Sequence, residues 1–325
     1  MEILNKLKSN ENLAIALGFF DGVHLGHKAV INAAVDYAKK NNIKSAVVTF
    51  RQSPYVALNN VKPNYIITLE EKIKAIKKLG VDYLYLSDFT EDLAKQTASD
   101  YLKNLVDDLH PKMIATGFNH YFGYNKSGGV DYLRLMQQEY GYEFKEINPI
   151  KLNEDVISST AIRKALSNGD IPKANSMLGY RFYVKNEVIK GRQIGRTIGF
   201  KTANLKMPEK MINIPDGVYA VEVEVLGKKY MGIAIRLFHC PHLFNQRLFF
   251  LSADCPYRQD QLHSEQYQNE QPHFQNRELI RHYISGKSTY THFSASKDGS
   301  RKPNDQRCQC CKERIAQPLT DVHFT

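Results

Sequence analysis

The sequence predicts an α/β protein: a parallel-sheet domain over residues 1–178, the opening part of a small β-barrel over 179–234, and an irregular tail over 235–325. Three observations predict it. Apolar strand-like runs alternate with helical patterns as far as residue 147, which implies a parallel sheet covered on both faces. From about Tyr180 the texture changes to short strands separated by Gly and Pro turns. Beyond about Ile235 the composition itself changes.

The first strand is "LAIALG" (13–18), followed by an amphipathic stretch from His27 to about Asn41. "SAVVTF" (45–50) is the second strand. The next helix opens at Thr68, where "TLEE" has the S/T-x-x-E form of a capping box. "YLYL" (83–86), a helix from about Ser99 to Leu109, "MIAT" (113–116), a helix from about Val130 to Tyr140, and "YEFKEI" (142–147) continue the alternation, and a helical pair follows near 159–178. "RFYVKNEVI", "TIGFKTANL", "GVYAVEVEVL" and "KKYMGIA" then read as the strands of the second domain.

A chain of 325 residues is long enough for about two domains. No apolar run approaches the roughly 18 residues of a membrane span, and Lys6 and Lys8 are not followed by the apolar stretch of a signal peptide, so a cytoplasmic protein without a membrane partner is expected. The net charge of +10 comes from basic residues interleaved with acids rather than from a dense run. That pattern suits an anionic small-molecule substrate and gives no ground for a nucleic-acid partner. Residues 1–234 hold 26 Lys and 6 Arg, whereas 235–325 hold 4 Lys and 8 Arg with all five Cys, seven of eleven His and ten of fifteen Gln. The odd, clustered cysteines argue against a disulfide framework, and "CQCCKER" matches no common zinc spacing. After "LFFLS" (248–252) the tail loses clear periodicity, which makes it a poor continuation of a barrel.

The chemistry concentrates in "GFFDGVHLGH" (18–27). His24 and His27, with no nearby Cys or third ligand, make a weak metal signal. A helix beginning near His27 directs free N–H groups and its positive dipole end at the turn, which suits an anion, and two imidazoles there can donate to phosphoryl oxygens as charge grows in a transition state. The alternative is a Gly-rich turn whose histidines only cap a helix; phosphate handling is the preferred reading.

G-x-F-D-G-x-H-x-G-H resembles the signature of the HxGH nucleotidyltransferases and, in this fuller form, the N-terminal module of the bacterial bifunctional riboflavin kinase/FMN adenylyltransferase (FAD synthetase) family. "VVTF" followed by Pro54, "ITLEEKIKAIKKLGVDYLYLSDF" (67–89), "TGFNHYFGYNKSGG" (116–129) and "ISSTAIRKAL" (157–166) carry the resemblance in the same order. It implies a Rossmann-like nucleotidyltransferase domain that transfers AMP from Mg-bound ATP to FMN. By resemblance, His24 and His27 contact the ATP phosphates. Gly18, Phe19, Asp21 and Gly26 shape the loop around nucleotide and flavin, and Asn119 lies near the substrates with Phe122 and Gly123 completing its loop. Ser158, Ser159, Thr160 and Arg163 hold the departing phosphates, a role consistent with hydroxyls at a helix start and a guanidinium one turn later. One departure stands out: Arg51, Gln52 and Ser53 replace the family's acidic-Pro-His motif, and the missing His is expected to weaken ATP binding.

"GYRFYVKNEVIKGRQIGRTIGFKTANL" (179–205) resembles the opening of the riboflavin kinase module. The resemblance implies that Gly191 and Gly195 let the backbone approach ATP, that Thr202 and Asn204 offer oxygens to ATP and Mg²⁺, with Thr202 a magnesium ligand, and that riboflavin is the acceptor. Lys201 stands where the family has proline. After Ala234 the expected turn, the strand with its general-base glutamate and the closing helix are not visible, and Glu265, Glu270 and Glu278 lie in other contexts. A shifted reading frame or an unrelated fused tail, without stable structure, is therefore expected over 235–325, with kinase activity absent or very weak and adenylylation retained on a separate core. The competing readings are another HxGH nucleotidyltransferase and a non-catalytic flavin- or nucleotide-binding or damaged-gene product. Oligomeric state is not legible.

Overall fold

The structure, a computed structural model, describes residues 1–189, 202–225, 228–237, 247–252 and 321–324. The chain divides into two units. The first consists of Met1–Lys185 and Met207–Pro215 with the chain's last residues; the second takes Asn186–Lys206 and the described residues from Asp216 to Val322.

In chain order the first unit contains β1 (Glu2–Leu4), β2 (Leu13–Leu17), α1 (Leu25–Asn41), β3 (Lys44–Phe50), α2 (Pro54–Asn59), α3 (Leu69–Lys78), β4 (Tyr83–Ser87), α4 (Glu91–Lys95), α5 (Ala98–Leu109) and β5 (Pro111–Gly117). A small hairpin of β6 (Tyr121–Phe122) and β7 (Gly128–Gly129) precedes α6 (Val130–Tyr140) and β8 (Glu143–Ile147). A second hairpin, β9 (Lys151–Leu152) and β10 (Asp155–Val156), leads to α7 (Ser159–Ser167), α8 (Ile171–Leu178) and the short β11 (Tyr183–Val184). Six strands form one parallel sheet in the order β1-β4-β3-β2-β5-β8.

All five residues of β2 are buried, as expected of a central parallel strand covered on both faces. Leu13, Ile15 and Leu17 pack in one cluster with Leu102, Leu105 and Leu109 of α5, Leu133 of α6 and Tyr142. α1 covers β2, β3 and β5 with Val30, Ile31, Ala34, Val35 and Ala38 and stops at Asn42, whose φ of 52° is the left-handed conformation that ends a helix. Strand order runs one way from β2 to β3 and the other way to β5. The crevice beyond the carboxyl ends of β2 and β5 is therefore the switch point where open α/β sheets bind ligands.

The second unit contains β12 (Val188–Ile189), β13 (Thr202–Lys206), β14 (Gly217–Val225), β15 (Lys228–Leu237) and β16 (Arg247–Ser252), hydrogen-bonded antiparallel in the order β14-β15-β16-β13-β12.

Three expectations change. The division into compact units falls at Lys185 rather than at 178/179: Tyr180 donates its hydroxyl to the Gly22 carbonyl (2.6 Å), Phe182 is fully buried with its N–H on Asn175 Oδ1 (2.6 Å), and Tyr183 donates to Glu71 (2.7 Å). β15 runs through Ile235–Leu237 without a break at Ala234, and "LFFLS", inside the stretch expected to be an irregular tail, belongs to β16, paired with β15 on one side and β13 on the other. Met207–Pro215, read as part of the barrel sequence, packs in the first unit. Asp321–Phe324, also in the stretch expected to be irregular, forms a further short strand, and 253–320 lie outside the described residues.

Candidate active site

The loop after β2 is held in a strained form. Phe20 and Val23 have φ of 57° and 37°, values that side chains rarely adopt, and Gly22 has φ of 81°. Gly18 leaves room for the Phe20 ring, since a Cβ there would lie 2.8 Å from Phe20 Cζ. The buried Phe20 ring then meets His27 edge-on, centroids 5.3 Å apart. His24 is the N-cap of α1, its Nδ1 accepting from the His27 N–H (3.3 Å), and the two imidazoles stack with centroids 3.5 Å apart. Gly26 faces the His24 ring so closely that a Cβ would come within 3.2 Å of it.

Burial lowers the His24 pKa to about 4, assisted by the positive charges of Arg163 and Lys28. Burial first, then His24, Lys72 and Arg163, holds His27 well below its ordinary value. Both rings are neutral near pH 7, which permits the stacking. Because His24 Nδ1 is an acceptor, its proton sits on Nε2. That Nε2 and His27 Nδ1 are buried without a hydrogen-bond partner among the described residues. An unmade hydrogen bond at a buried polar atom costs about 1–3 kcal/mol, a deficit that a bound ligand removes. The N–H groups of Leu25 and Gly26 in the first turn of α1 also have no intrahelical acceptor.

α7 is tied to the same loop. Ser158 caps it, accepting from the Ala161 N–H (3.2 Å), and Ser159 donates to the Asp21 carbonyl (3.0 Å). Arg163 donates through Nη2 to Asp21 (2.5 Å) and through Nε to the Asn64 carbonyl (2.9 Å). The buried Asp21 carboxylate also accepts from the Ile66 N–H at 3.0 and 3.2 Å. Burial pushes its pKa up, against the opposing pull of Arg163. Asp21 is thus a clamp that ties the start of α7 to the loop leading into α1. Thr160 is exposed at the start of α7, and Asn119 is exposed on the loop after β5. At that lip, Thr116 Oγ1 and His120 Nε2 are also buried without partners among the described residues, and burial lowers His120 to about 4.

Beside the loop opens a cavity of about 610 Å³, whose walls include Phe19, Gln52, Tyr65 and Lys72. Lys72, on α3, is 4% exposed, and its ammonium donates to the carbonyls of Phe19 (3.1 Å) and Phe50 (2.8 Å) while lying 4.2 Å from the Phe19 ring centroid. Burial lowers its pKa to about 7, with Asp21 opposing. Of the altered segment, Arg51 pairs with Asp88 (3.4 Å) and Asn5 (2.6 Å), and the Ser53 N–H donates to the Tyr65 hydroxyl (3.0 Å).

The structure therefore brings together Gly18, Phe19, Asp21, His24, Gly26, His27, Ser158, Ser159 and Arg163. Lys72, Tyr65, Thr116 and His120 were not singled out from sequence. Lys72 sits within "TLEEKIKAI", where spacing alone makes it one more lysine of an amphipathic helix. In the second unit Thr202 begins β13, and Asn204 is buried with its Oδ1 unpartnered among the described residues; Gly191 and Gly195 lie outside them. Among the described residues no group of three or more His, Cys, Asp or Glu is arranged to hold a metal, and no helix is long and apolar enough to cross a membrane.

Residues 6–161 match the family model for FAD synthetase, and residues 178–252 match the one for riboflavin kinase, which carries the similarity past residue 234. A protein of Listeria monocytogenes named bifunctional riboflavin kinase/FMN adenylyltransferase is 38% identical over 69% of this chain and 71% of its own. One of the same name from Bacillus subtilis is 39% identical over 67% of this chain and 70% of its own. The crystal structure of a Streptococcus pneumoniae protein described as a macrolide-efflux protein superposes with a TM-score of 0.71 at 29% identity, covering 79% of this chain and 85% of that one.

Proposed function

Since the chain belongs to the bifunctional riboflavin kinase/FMN adenylyltransferase family, a membership that carries FAD biosynthesis from ATP, FMN and riboflavin, we propose that the β2–α1 loop and α7 perform the adenylyl transfer. An oxygen of the FMN phosphate attacks the α-phosphorus of ATP. The bond from that phosphorus to the bridging oxygen breaks, and pyrophosphate leaves with the bond's electrons, giving FAD. No covalent enzyme intermediate is needed, so the protein's share is alignment and charge stabilisation. Mg²⁺ enters on the triphosphate as part of the substrate.

The observation that carries the proposal is the stacked pair of neutral histidines with orphan ring nitrogens at the first turn of α1. His24 donates from Nε2 to a phosphoryl oxygen, and His27 offers its Nδ1 edge beside it. The free N–H groups of α1 add a fixed partial charge. Arg163 and Ser159 hold the loop through Asp21; in this arrangement their contribution to the phosphates is to position the histidines and supply positive potential. His24→Asn should lower kcat for FAD formation by about 100-fold or more, the usual effect of removing one preorganised donor, with melting temperature little changed. Activity within twofold of the parent chain would remove the pair from the mechanism.

The kinase half rests on less. Asn204 Oδ1, without a partner among the described residues, fits a hard cation such as Mg²⁺, and Thr202 joins it by resemblance alone. In β15, opposite Gly217, Arg236 is 2% exposed with Nε and Nη1 unpartnered among the described residues. Burial lowers its pKa, against the nearby Asp216 and Tyr219. A buried guanidinium without full pairing opposes a tight barrel. The proposed consequence is a riboflavin kinase step far weaker than the adenylyl transfer.

A further inference from the structure

We propose that Met207–Pro215, although it falls in the stretch matched to riboflavin kinase, is a working wall of the first unit's substrate cavity, and that Lys210 on it sets affinity for the phosphate of the flavin substrate. The segment is fixed to the first unit by backbone and by apolar side chains. The Tyr65 N–H donates to the Lys210 carbonyl (2.9 Å), and the Ile212 N–H donates to the Tyr65 carbonyl (2.7 Å), forming a parallel bridge between Tyr65 and Met211. Met207, Met211, Ile212 and Ile214 are all buried. The Met211 N–H closes a turn on the Pro208 carbonyl (3.1 Å).

Through Tyr65 the segment reaches the reacting loop. The Tyr65 ring lies against Phe19, centroids 5.7 Å apart, and its hydroxyl takes the Ser53 N–H. The cavity so enclosed combines aromatic and apolar walls, from Phe19, Tyr65, Pro63 and Met211, with cations at Arg51, Lys72 and Lys210 and carboxylates at Asp21, Asp88 and Glu209, the first two of which already hold Arg163 and Arg51. That chemistry fits a flat ring carrying an anionic group, and the volume lies in the range of small-ligand sites. The three cations are not equally available. Arg51 faces Asp88, and Lys72 is spent on main-chain carbonyls. Lys210 is exposed, with no ion-pair partner among the described residues, so it is the cation free to meet a phosphate.

The inference rests on the adenylyl-transfer reading, and its test separates the two. In the full chain, Lys210→Glu and Lys210→Ala are compared with the parent for the KM of FMN, the KM of ATP, kcat and melting temperature. Dissociation constants for FMN and riboflavin without ATP are read from flavin fluorescence. Reversing this exposed charge at the cavity wall should weaken FMN binding about fivefold or more, with riboflavin binding, the KM of ATP and melting temperature nearly unchanged. Unchanged FMN affinity, or an equal loss for riboflavin and FMN, would overturn the role of Lys210. If the parent makes no FAD, the adenylyl-transfer reading fails, and the FMN-against-riboflavin binding difference still decides for or against Lys210.

Discussion

His24, His27 and His120 are kept neutral by burial, and that has a cost in acid. His24 and His120 fall to about 4 from an ordinary value near 6.5, and His27 falls in the same direction. Between those values the unfolded chain takes up protons that the folded unit refuses, so stability falls as pH drops below about 6.5 and is unaffected by these groups above it. Each such histidine adds a slope of about 1.4 kcal/mol per pH unit. Urea unfolding followed at pH 7 and pH 5 should show a lower midpoint at pH 5; equal midpoints would mean the rings titrate normally. The histidines themselves are legible from H-x-G-H spacing, but their neutrality is not, because it comes first from burial in the folded unit and, for His24 and His27, then from charges such as Arg163 that other elements bring. Lys72 is hidden for the same reason: only the fold turns a helix-surface pattern into a buried ammonium that clips Phe19 to Phe50.

The main helices and sheet strands of the first unit follow their sequence patterns closely, since N-caps such as Thr68 and Ser158 and the fully buried β2 are local features. What escapes is joining between elements. "ISST" reads as a cap and phosphate site, whereas Ser159 and Arg163 of α7 also grip the loop before α1 through Asp21. Asp21→Asn leaves Arg163 without its counter-charge and should destabilise the first unit by about 2 kcal/mol, the buried-pair range discounted for the partial exposure of Arg163. Calorimetry of the variant checks it, and an unchanged transition would reduce the clamp to an incidental contact. The Met207–Pro215 wall is likewise invisible in advance, because a single backbone bridge to Tyr65 leaves no periodicity behind.

At the scale of the whole molecule, two sequence families share one chain, and the division between them in sequence is not the division in space. Residues 179–185 and 207–215 serve the first unit, while β15 and β16 carry the second past residue 234, to the end of the riboflavin kinase match. The change from Lys to Arg after residue 234 is a compositional signal; backbone pairing in β16 does not require the family's side chains, so composition alone misplaces the end of the sheet. The buried Arg236 is where that change meets a packed interior. On the proposed reading, adenylyl transfer at the β2–α1 loop is the stronger activity and the riboflavin kinase step the weaker one. The most direct measurement gives the full chain MgATP with either FMN or riboflavin and quantifies FAD, FMN and pyrophosphate. The FMN reaction should yield FAD and pyrophosphate in equal amounts, and the riboflavin reaction little or no FMN or FAD over the same period. Absence of FAD from FMN would contradict the assignment of the histidine loop, and riboflavin turnover matching that of FMN would contradict the weakened kinase.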